Sequence, residues 1–569
     1  MRLIISQFLR TLRERDEFDR LLPDLLVAMG YVPLAKPQTG VRQYGVDLAA
    51  VGKSPVDGVE ELLLFVVKRG DIGRREWDNN EPTSVRPSLN EALDFYLTKL
   101  IAPEHATHRK TIVLATTGDI KQDIDPVWTA FKELNAARAQ FDFWGADRVS
   151  DLIERHMLDE HLFAAEDRSD LRKALALVGD GDYDFRDLNR LLLRQLGLQP
   201  DGSLTAPAMD HRALGKAFPR VHLASQICVH WAQSEGDARQ GLWISERALL
   251  WAWHRIQLLT LEDRARFYPD VAEFWHSYTE AARRYVEVLQ PHVHVRDGLA
   301  GYSGEGAAFA VVLFEHIGLH AAIGLAFLLQ ATTDDANAKV IRANVEVIAD
   351  GLCALLANNP ASASPRLDRH AVDVCLALLF LVTAGRLDEA KEWLAEVAKR
   401  LDYCFNVGAR FPVSTDSLED LVTLEVRSDD ARCEDLMRTS WCLATVAAWC
   451  ALLELDDHYG ALSLGATTTY ANVCAQLWHP AAGWVERWYF GGALDFGDAE
   501  APYALPGDIG EMRQRIADFV KRPEYDWVEA SPSRRLGMFG LDFVACRHFR
   551  VPVPASAWYR SRPKDAELA

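Results

Sequence analysis

The chain has 569 residues, of which 49% are hydrophobic and 25% charged, and it carries a formal net charge of −20. That length exceeds one ordinary core, so about three domains are expected, and the composition is globular rather than disordered or fibrous. So large an acidic surplus excludes a general cationic coat, and nucleic acid would have to bind at a local basic patch.

The N-terminus Met1-Arg-Leu-Ile-Ile runs at once into Ser, Gln and charged residues, which is not a signal-peptide pattern and predicts a cytoplasmic chain. Phe18, Leu21, Leu22, Leu25, Leu26 and Met29 recur at helical spacing before Gly30, predicting an amphipathic helix that Pro23 kinks or splits. Extended runs follow near 31–36, 42–51 and 61–68, then a helix near 88–100, a strand at 111–117, a helix near 125–138, a strand at 141–144 and a helix near 147–157.

Two of these strands carry chemistry. Gly45-Val-Asp-Leu-Ala-Ala-Val51 holds one acid, and Glu61-Leu-Leu-Leu-Phe-Val-Val-Lys68 ends in lysine before Arg69-Gly-Asp-Ile72. Side chains alternate along a strand, so Val66 and Lys68 share a face while Val67 offers its carbonyl. Asp47 beside that carbonyl suits a divalent ion, and Lys68 is then placed to orient a water or to stabilise a phosphorane.

On these residues, with the preceding Leu-rich helix containing Glu17-Phe18-Asp19, the region of about 10–160 resembles the PD-(D/E)xK nuclease superfamily, in particular its Mrr-like restriction endonuclease branch. The segments Arg75-Glu-Trp77 and Ser84-Val-Arg-Pro-Ser-Leu-Asn-Glu91 also look like a variant found in nuclease-like proteins of bacterial defence loci. The resemblance implies an αβββαβ core and Mg²⁺- or Mn²⁺-dependent cleavage of DNA. Catalysis would rest on Asp47, Lys68 and Asp19, and the metal would be held by Asp47, the Val67 carbonyl, Asp19 and Glu17. Val66 departs from the family, which places an acid or glutamine two residues before the lysine. An acid from the first helix, Asp19 before Glu17, is therefore expected to stand in, since valine offers no oxygen ligand. The alternative is a degenerate nuclease fold serving as an adaptor for nucleic acid or protein.

Residues 1–165 hold 21 Lys and Arg against 26 Asp and Glu, a net −5 that leaves −15 for the remainder. DNA would meet Arg69, Arg74, Arg75 and Arg86 around Lys68, with a solvated basic loop as the bland reading. Residues 166–214 are turn-rich and are expected to be a linker with a connecting helix. Asp180, Asp182 and Asp184 there lack the glycine and final glutamate of a calcium loop.

Residues 215–569 read as an all-helical domain, a solenoid or bundle of hairpins that senses, oligomerises or binds a protein partner. Its helix-length segments run at 249–259, 271–289, 307–329, 340–356, 371–382, 387–401, 438–455, 461–477 and 509–520. The run at 307–329 has spanning length, but Glu315, His316 and His320 in its middle argue for a helix buried by protein, not lipid. The nine cysteines form no Cys-x-x-Cys pair and read as buried free thiols. Gly52-Lys-Ser54 lacks the earlier glycine of a phosphate-binding loop, and the pairs His292/His294 and His316/His320 have no further ligand pattern for zinc. Trp478, Trp484, Trp488 and Tyr489 suit a base-stacking platform but read first as core or interface.

Overall fold

The computed structural model describes residues 5–6, 9–10, 12, 18–35, 44–54, 57–79, 81, 84–157, 165–178, 180, 184–300, 306–330, 338–408, 412–415, 417–426, 435–480, 498–522, 533, 538, 540–554 and 557. Glu17, Cys433, Trp484, Trp488 and Tyr489 lie outside the described residues. The chain is mixed α+β and divides into two compact units. One comprises Met1–Gly197 with Thr205–Gly236, the other Leu198–Leu204 with Asp237–Ala569.

In the first unit, helix α1 (Asp19–Ala28) precedes strands β1 (Val32–Ala35), β2 (Leu48–Lys53) and β3 (Glu60–Lys68). Then come α2 (Arg74–Trp77), α3 (Val85–Glu91), β4 (Arg109–Thr116), α4 (Asp125–Asn135), β5 (Gln140–Trp144) and α5 (Ala146–His156). The strands form one sheet in the order β1-β2-β3-β4-β5, antiparallel across the first two junctions and parallel across the last two. The sequence order α-β-β-β-α-β is thus observed. Pro23 does not split α1, because its ring faces only the first turn, where the missing amide costs one bond at a helix end. The helix expected near 88–100 changes character midway, as α3 passes into π-helical Ala92–Leu100.

β3 is the central strand, and its seven residues Glu61–Val67 are all buried. That is why it reads as a continuous apolar run rather than an alternating one. Its two faces pack against different helices. Leu62, Leu64 and Val66 join a cluster with Trp77, Val85, Leu89, Trp128 and Phe131, drawn from α2, α3 and α4. Phe65, of the other parity, meets Trp144 edge-on at 5.1 Å. Helix α1 packs on β1, β2 and α5 and gives no residue to the Val66 cluster, so it covers the opposite face of the sheet.

The span expected as a linker holds α6 (Ala165–Leu177) and α7 (Arg186–Gln195), which pack on each other and on α8 (His211–Ser234). Arg190 and Arg194 of α7 reach Asp167 and Asp170 of α6 across that packing, and Arg190 also pairs with Asp187 within α7. The division between units therefore falls after Gly236 rather than at 215. Polar turns punctuate helices here because their buried acids are answered by arginines on the neighbouring helix.

The second unit is helical apart from two short ladders among the described residues, Thr439–Ser440 with Cys474–Ala475 and Leu477–His479 with Asp498–Glu500. Helices α9 (Ala238–Gln257), α11 (Ala307–Gln330), α13 (His370–Thr383) and α16 (Trp441–Leu452) are buried over most of their surface. Each packs on the helix that follows it: α10 (Tyr268–Val293), α12 (Ala338–Asn358), α14 (Leu387–Gly408) and α17 (Asp456–Thr467) respectively. Helix α15 (Leu418–Val426) also touches α11, α18 (Ile509–Val520) packs on α16, and α19 (Gly540–Phe549) lies against α9, α11 and α13. Helix α11 is the one described helix long and apolar enough to span a membrane, and 78% of that window is buried inside the protein. The helix expected at 461–477 stops at Thr467. Three consecutive threonines weaken it, and Tyr470 folds back so closely that a Cβ on Gly465 would lie 2.1 Å from its ring. The eight described cysteines are free, five of them buried in the second unit's core or in α8, while Cys404 is exposed and Cys353 and Cys474 half-buried.

A charged cluster sits among α9, α11, α13 and α19. Glu246, fully buried, accepts from Arg547 at 2.6 Å and pairs with His548 at 2.9 Å. Arg547 also lies 3.6 Å from Glu315, and Arg550 bonds Asp373 at 2.5 Å. The histidines His316 and His320 belong to this interior, where His316 Nδ1 meets Tyr285 at 2.5 Å. Burial pushes His316 down to about 3 and His320 to about 4.

Candidate functional site

The site begins at a turn. Tyr44 and Gly45 both have positive φ, and a Cβ on Gly45 would lie 2.1 Å from the Ser88 carbonyl oxygen. Only glycine admits so close an approach of α3 to the start of β2. Tyr44 stacks on Phe95 at 4.3 Å, fixing the same turn against the π-helical segment.

Two residues later Asp47 leaves the regular ladder. The β2–β3 register ends at Leu48 opposite Phe65, yet the Asp47 amide still donates to the Phe65 carbonyl at 2.8 Å. The Val67 amide then donates to Asp47 Oδ2 at 2.7 Å, so a side-chain oxygen occupies the position of the next backbone acceptor. The N–H and C=O of one strand residue point to the same side. The Val67 carbonyl therefore faces the Asp47 side of β3.

Lys68, the last residue of β3, is half-buried and registers with Thr116 on β4. Its side chain makes no hydrogen bond and no ion pair among the described residues. Val66 is fully buried in the apolar cluster, which accounts for its chemistry as core.

The loops that follow β3 and β4 are zipped together just beyond Lys68. Gly70 donates to Thr117 Oγ1 at 2.9 Å, Ile72 to the Asp119 carbonyl at 2.8 Å, and Lys121 to the Ile72 carbonyl at 3.0 Å. Two acids sit there, and Arg10 answers both, Asp119 at 2.6 Å and Asp71 at 3.5 Å. This rigid end keeps Lys68 in place and was not legible from spacing alone.

Asp19 lies in the first turn of α1, on the face of the sheet opposite Val66 and hence opposite the direction of Lys68. The helix that covers the Val66 face carries another acid, Glu91. Ser84, Ser88, Glu91 and Phe95 form one stripe at steps of three and four residues, and this stripe touches Tyr44 and Gly45. Glu91 is half-buried on it, at the junction of α and π geometry, which often marks functional positions. The serine-acid-aromatic spacing was visible in the sequence, but only the contact with Gly45 gives it meaning. Among the described residues no three His, Cys, Asp or Glu side chains are grouped to hold a metal ion.

The basic residues diverge in their company. Arg69 and Arg75 are exposed without an acidic partner among the described residues, whereas Arg74 lies 4.0 Å from Asp123 and Arg86 3.3 Å from Asp78. No protein-family model, curated protein or solved structure matches this chain.

Proposed function

We propose that the first unit is a metal-dependent DNA nuclease of PD-(D/E)xK type within a cytoplasmic effector, of the kind used in prokaryotic antiviral defence. The observation that carries this reading is the seating of Asp47 on the Val67 amide at 2.7 Å, one residue before a lysine with no ion-pair partner among the described residues. Asp47 and the Val67 carbonyl are the groups that would hold Mg²⁺ or Mn²⁺, with Asp19 or Glu91 as the further acid. When bound, such an ion supplies an activated water and offsets phosphate charge. Lys68 brings a cation to the phosphate without first having to leave a carboxylate, and Arg69 and Arg75 extend the positive charge along the strand end for the DNA backbone.

The helical unit would sense, oligomerise or recruit a protein partner in this reading. The test is cleavage of linear, supercoiled and single-stranded DNA with Mg²⁺ or Mn²⁺, comparing wild type with Lys68→Ala. Metal-dependent cutting lost in the variant supports the proposal. Val66 favours a second reading, a non-catalytic adaptor for nucleic acid or protein, because that position is committed to the core. Absence of cleavage on every DNA form would decide for it.

A further inference from the structure

Helix α8 has no acidic residue in its 24 positions, in a chain that holds 82 acids in 569 residues and would on average place about three there. Its cations Arg212, Lys216 and Arg220 fall at steps of four, so they run along one side of the helix, each about 6 Å beyond the last. The opposite side is core, where Leu214, Phe218, Val221 and Cys228 are buried and the helix packs on α6 and α7.

The arginines of α7 are answered by acids, but these three cations are not. Arg212 and Lys216 are exposed, Arg220 is half-buried, and none of their side chains makes a hydrogen bond or ion pair with a described residue. Burial pushes Arg220 below the ordinary arginine range, and no carboxylate offsets it. A guanidinium partly desolvated without an anion is a cost to the fold that a bound anion relieves. The kind of anion follows from what else α8 presents, since no large apolar side chain is exposed on it. Protein interfaces need an apolar centre and are poor in lysine, and a membrane-surface helix needs an apolar face. A DNA backbone asks only for cations and polar groups. The row is about 12 Å long, which covers roughly three or four base-pair steps of a duplex.

We propose that α8 is a contact surface for the phosphate backbone of duplex DNA, with Arg212, Lys216 and Arg220 each taking one phosphate. It belongs to the same compact unit as Lys68 and is separate in sequence from Arg69 and Arg75. Contacts of this kind read no base, so the binding is independent of DNA sequence and weakens steeply with salt. The choice of DNA among polyanions rests on the nuclease reading, whereas the unanswered cation row does not.

The experiment is fluorescence anisotropy of a labelled DNA duplex with the full chain, between about 50 and 200 mM salt. EDTA is present throughout, which keeps binding apart from metal-dependent cleavage. Wild type is compared with the double variant Arg212→Gln, Lys216→Gln, whose exposed side chains hold no part of the fold, as circular dichroism should show. The slope of log affinity against log salt should become shallower by about two in the double variant and by about one in Arg220→Gln, one for each phosphate contact. A slope unchanged in the double variant, a wild type that does not bind the duplex, or one that binds polyglutamate as tightly would overturn the proposal. Cleavage lost in Lys68→Ala beside an unchanged slope in the double variant would keep the nuclease reading and remove this one. A shallower slope in a protein that cuts no DNA would keep this one and remove the nuclease reading.

Discussion

The Asp47 carboxylate and the Val67 amide, twenty positions apart in the chain, meet at 2.7 Å where the β2–β3 ladder would otherwise place a backbone carbonyl. One side chain thus has two duties, finishing the sheet and presenting charge beside Lys68. The duties separate by substitution. Asp47→Ala leaves the Val67 amide without its acceptor and should lower stability by about 1–2 kcal/mol. Asp47→Asn keeps an acceptor oxygen and should fold with nearly the wild-type urea midpoint, yet lose metal-dependent cleavage. Cleavage retained in Asp47→Asn would remove Asp47 from the proposed chemistry.

Lys68 makes no ion pair among the described residues, so its charge contributes little to the fold. Lys68→Met keeps the aliphatic stem and should shift the unfolding free energy by less than about 0.5 kcal/mol, the range of a change that breaks no specific contact. A loss of several kcal/mol in urea titration would assign the lysine to folding rather than to catalysis.

Much of the first unit was readable because β3 is a long apolar run and α1 a clean amphipathic helix, and these patterns survive in the structure at nearly the expected residues. What periodicity could not give was the face on which each helix lies. Asp19 and Lys68 both occupy reasonable positions in the chain, but a helix before a sheet can cover either side, and the cluster around Val66 was taken by α2, α3 and α4. Gly45 fell inside the run expected to be extended, and its turn and its approach to Ser88 depend on a helix forty residues later. In the second unit helix existence was legible from 3.6-residue spacing, whereas the ladders at Thr439 and Leu477 are built from strands of two or three residues that carry no periodic signal.

Glu246 and Arg547 are buried partners 301 residues apart. Burial alone would raise the Glu246 pKa, yet Arg547 and His548 hold it below the ordinary carboxylate value. Arg547→Met should therefore destabilise by about 3–5 kcal/mol, because the glutamate is left desolvated without its cation. The double variant Glu246→Gln, Arg547→Met should recover part of that loss. Chemical denaturation of the four proteins gives the coupling directly, and additive effects would show the pair to be energetically idle.

Acid should weaken the second unit. Burial lowers His254, His320 and His548 from 6.5 to about 4 and His316 to about 3, so each is held neutral in the fold. Their stabilisation is complete above pH 6.5 and is lost as pH falls toward 4. Asp368 and Asp373 oppose this, since burial raises both from 3.8 to about 6 and their contribution is lost as pH rises through that interval. Burial lowers His370 and His479 as well, so the histidines outnumber the two aspartates and unfolding takes up protons near pH 5. Stability should then rise with pH there. Urea midpoints at pH 5, 6 and 7 check the sign, and a midpoint that falls on going from pH 5 to 6 would contradict it.

The last expectation concerns the acid that must stand in for Val66 if the first unit cuts DNA, because a valine side chain gives a divalent ion no oxygen. Asp19 is the choice that chain order suggests, but α1 lies across the sheet from the face shared by Val66 and Lys68. Glu91 belongs to the helix that covers that face, on the stripe that presses against Gly45 two residues before Asp47. Glu91→Gln should therefore abolish Mg²⁺-dependent cleavage while Asp19→Asn leaves it within a few fold of wild type. Both changes are nearly isosteric, so circular dichroism should show both variants folded. The reverse pattern, with Asp19→Asn inactive and Glu91→Gln active, would mean that the end of α1 reaches past the sheet edge to Asp47 and would return the role to Asp19.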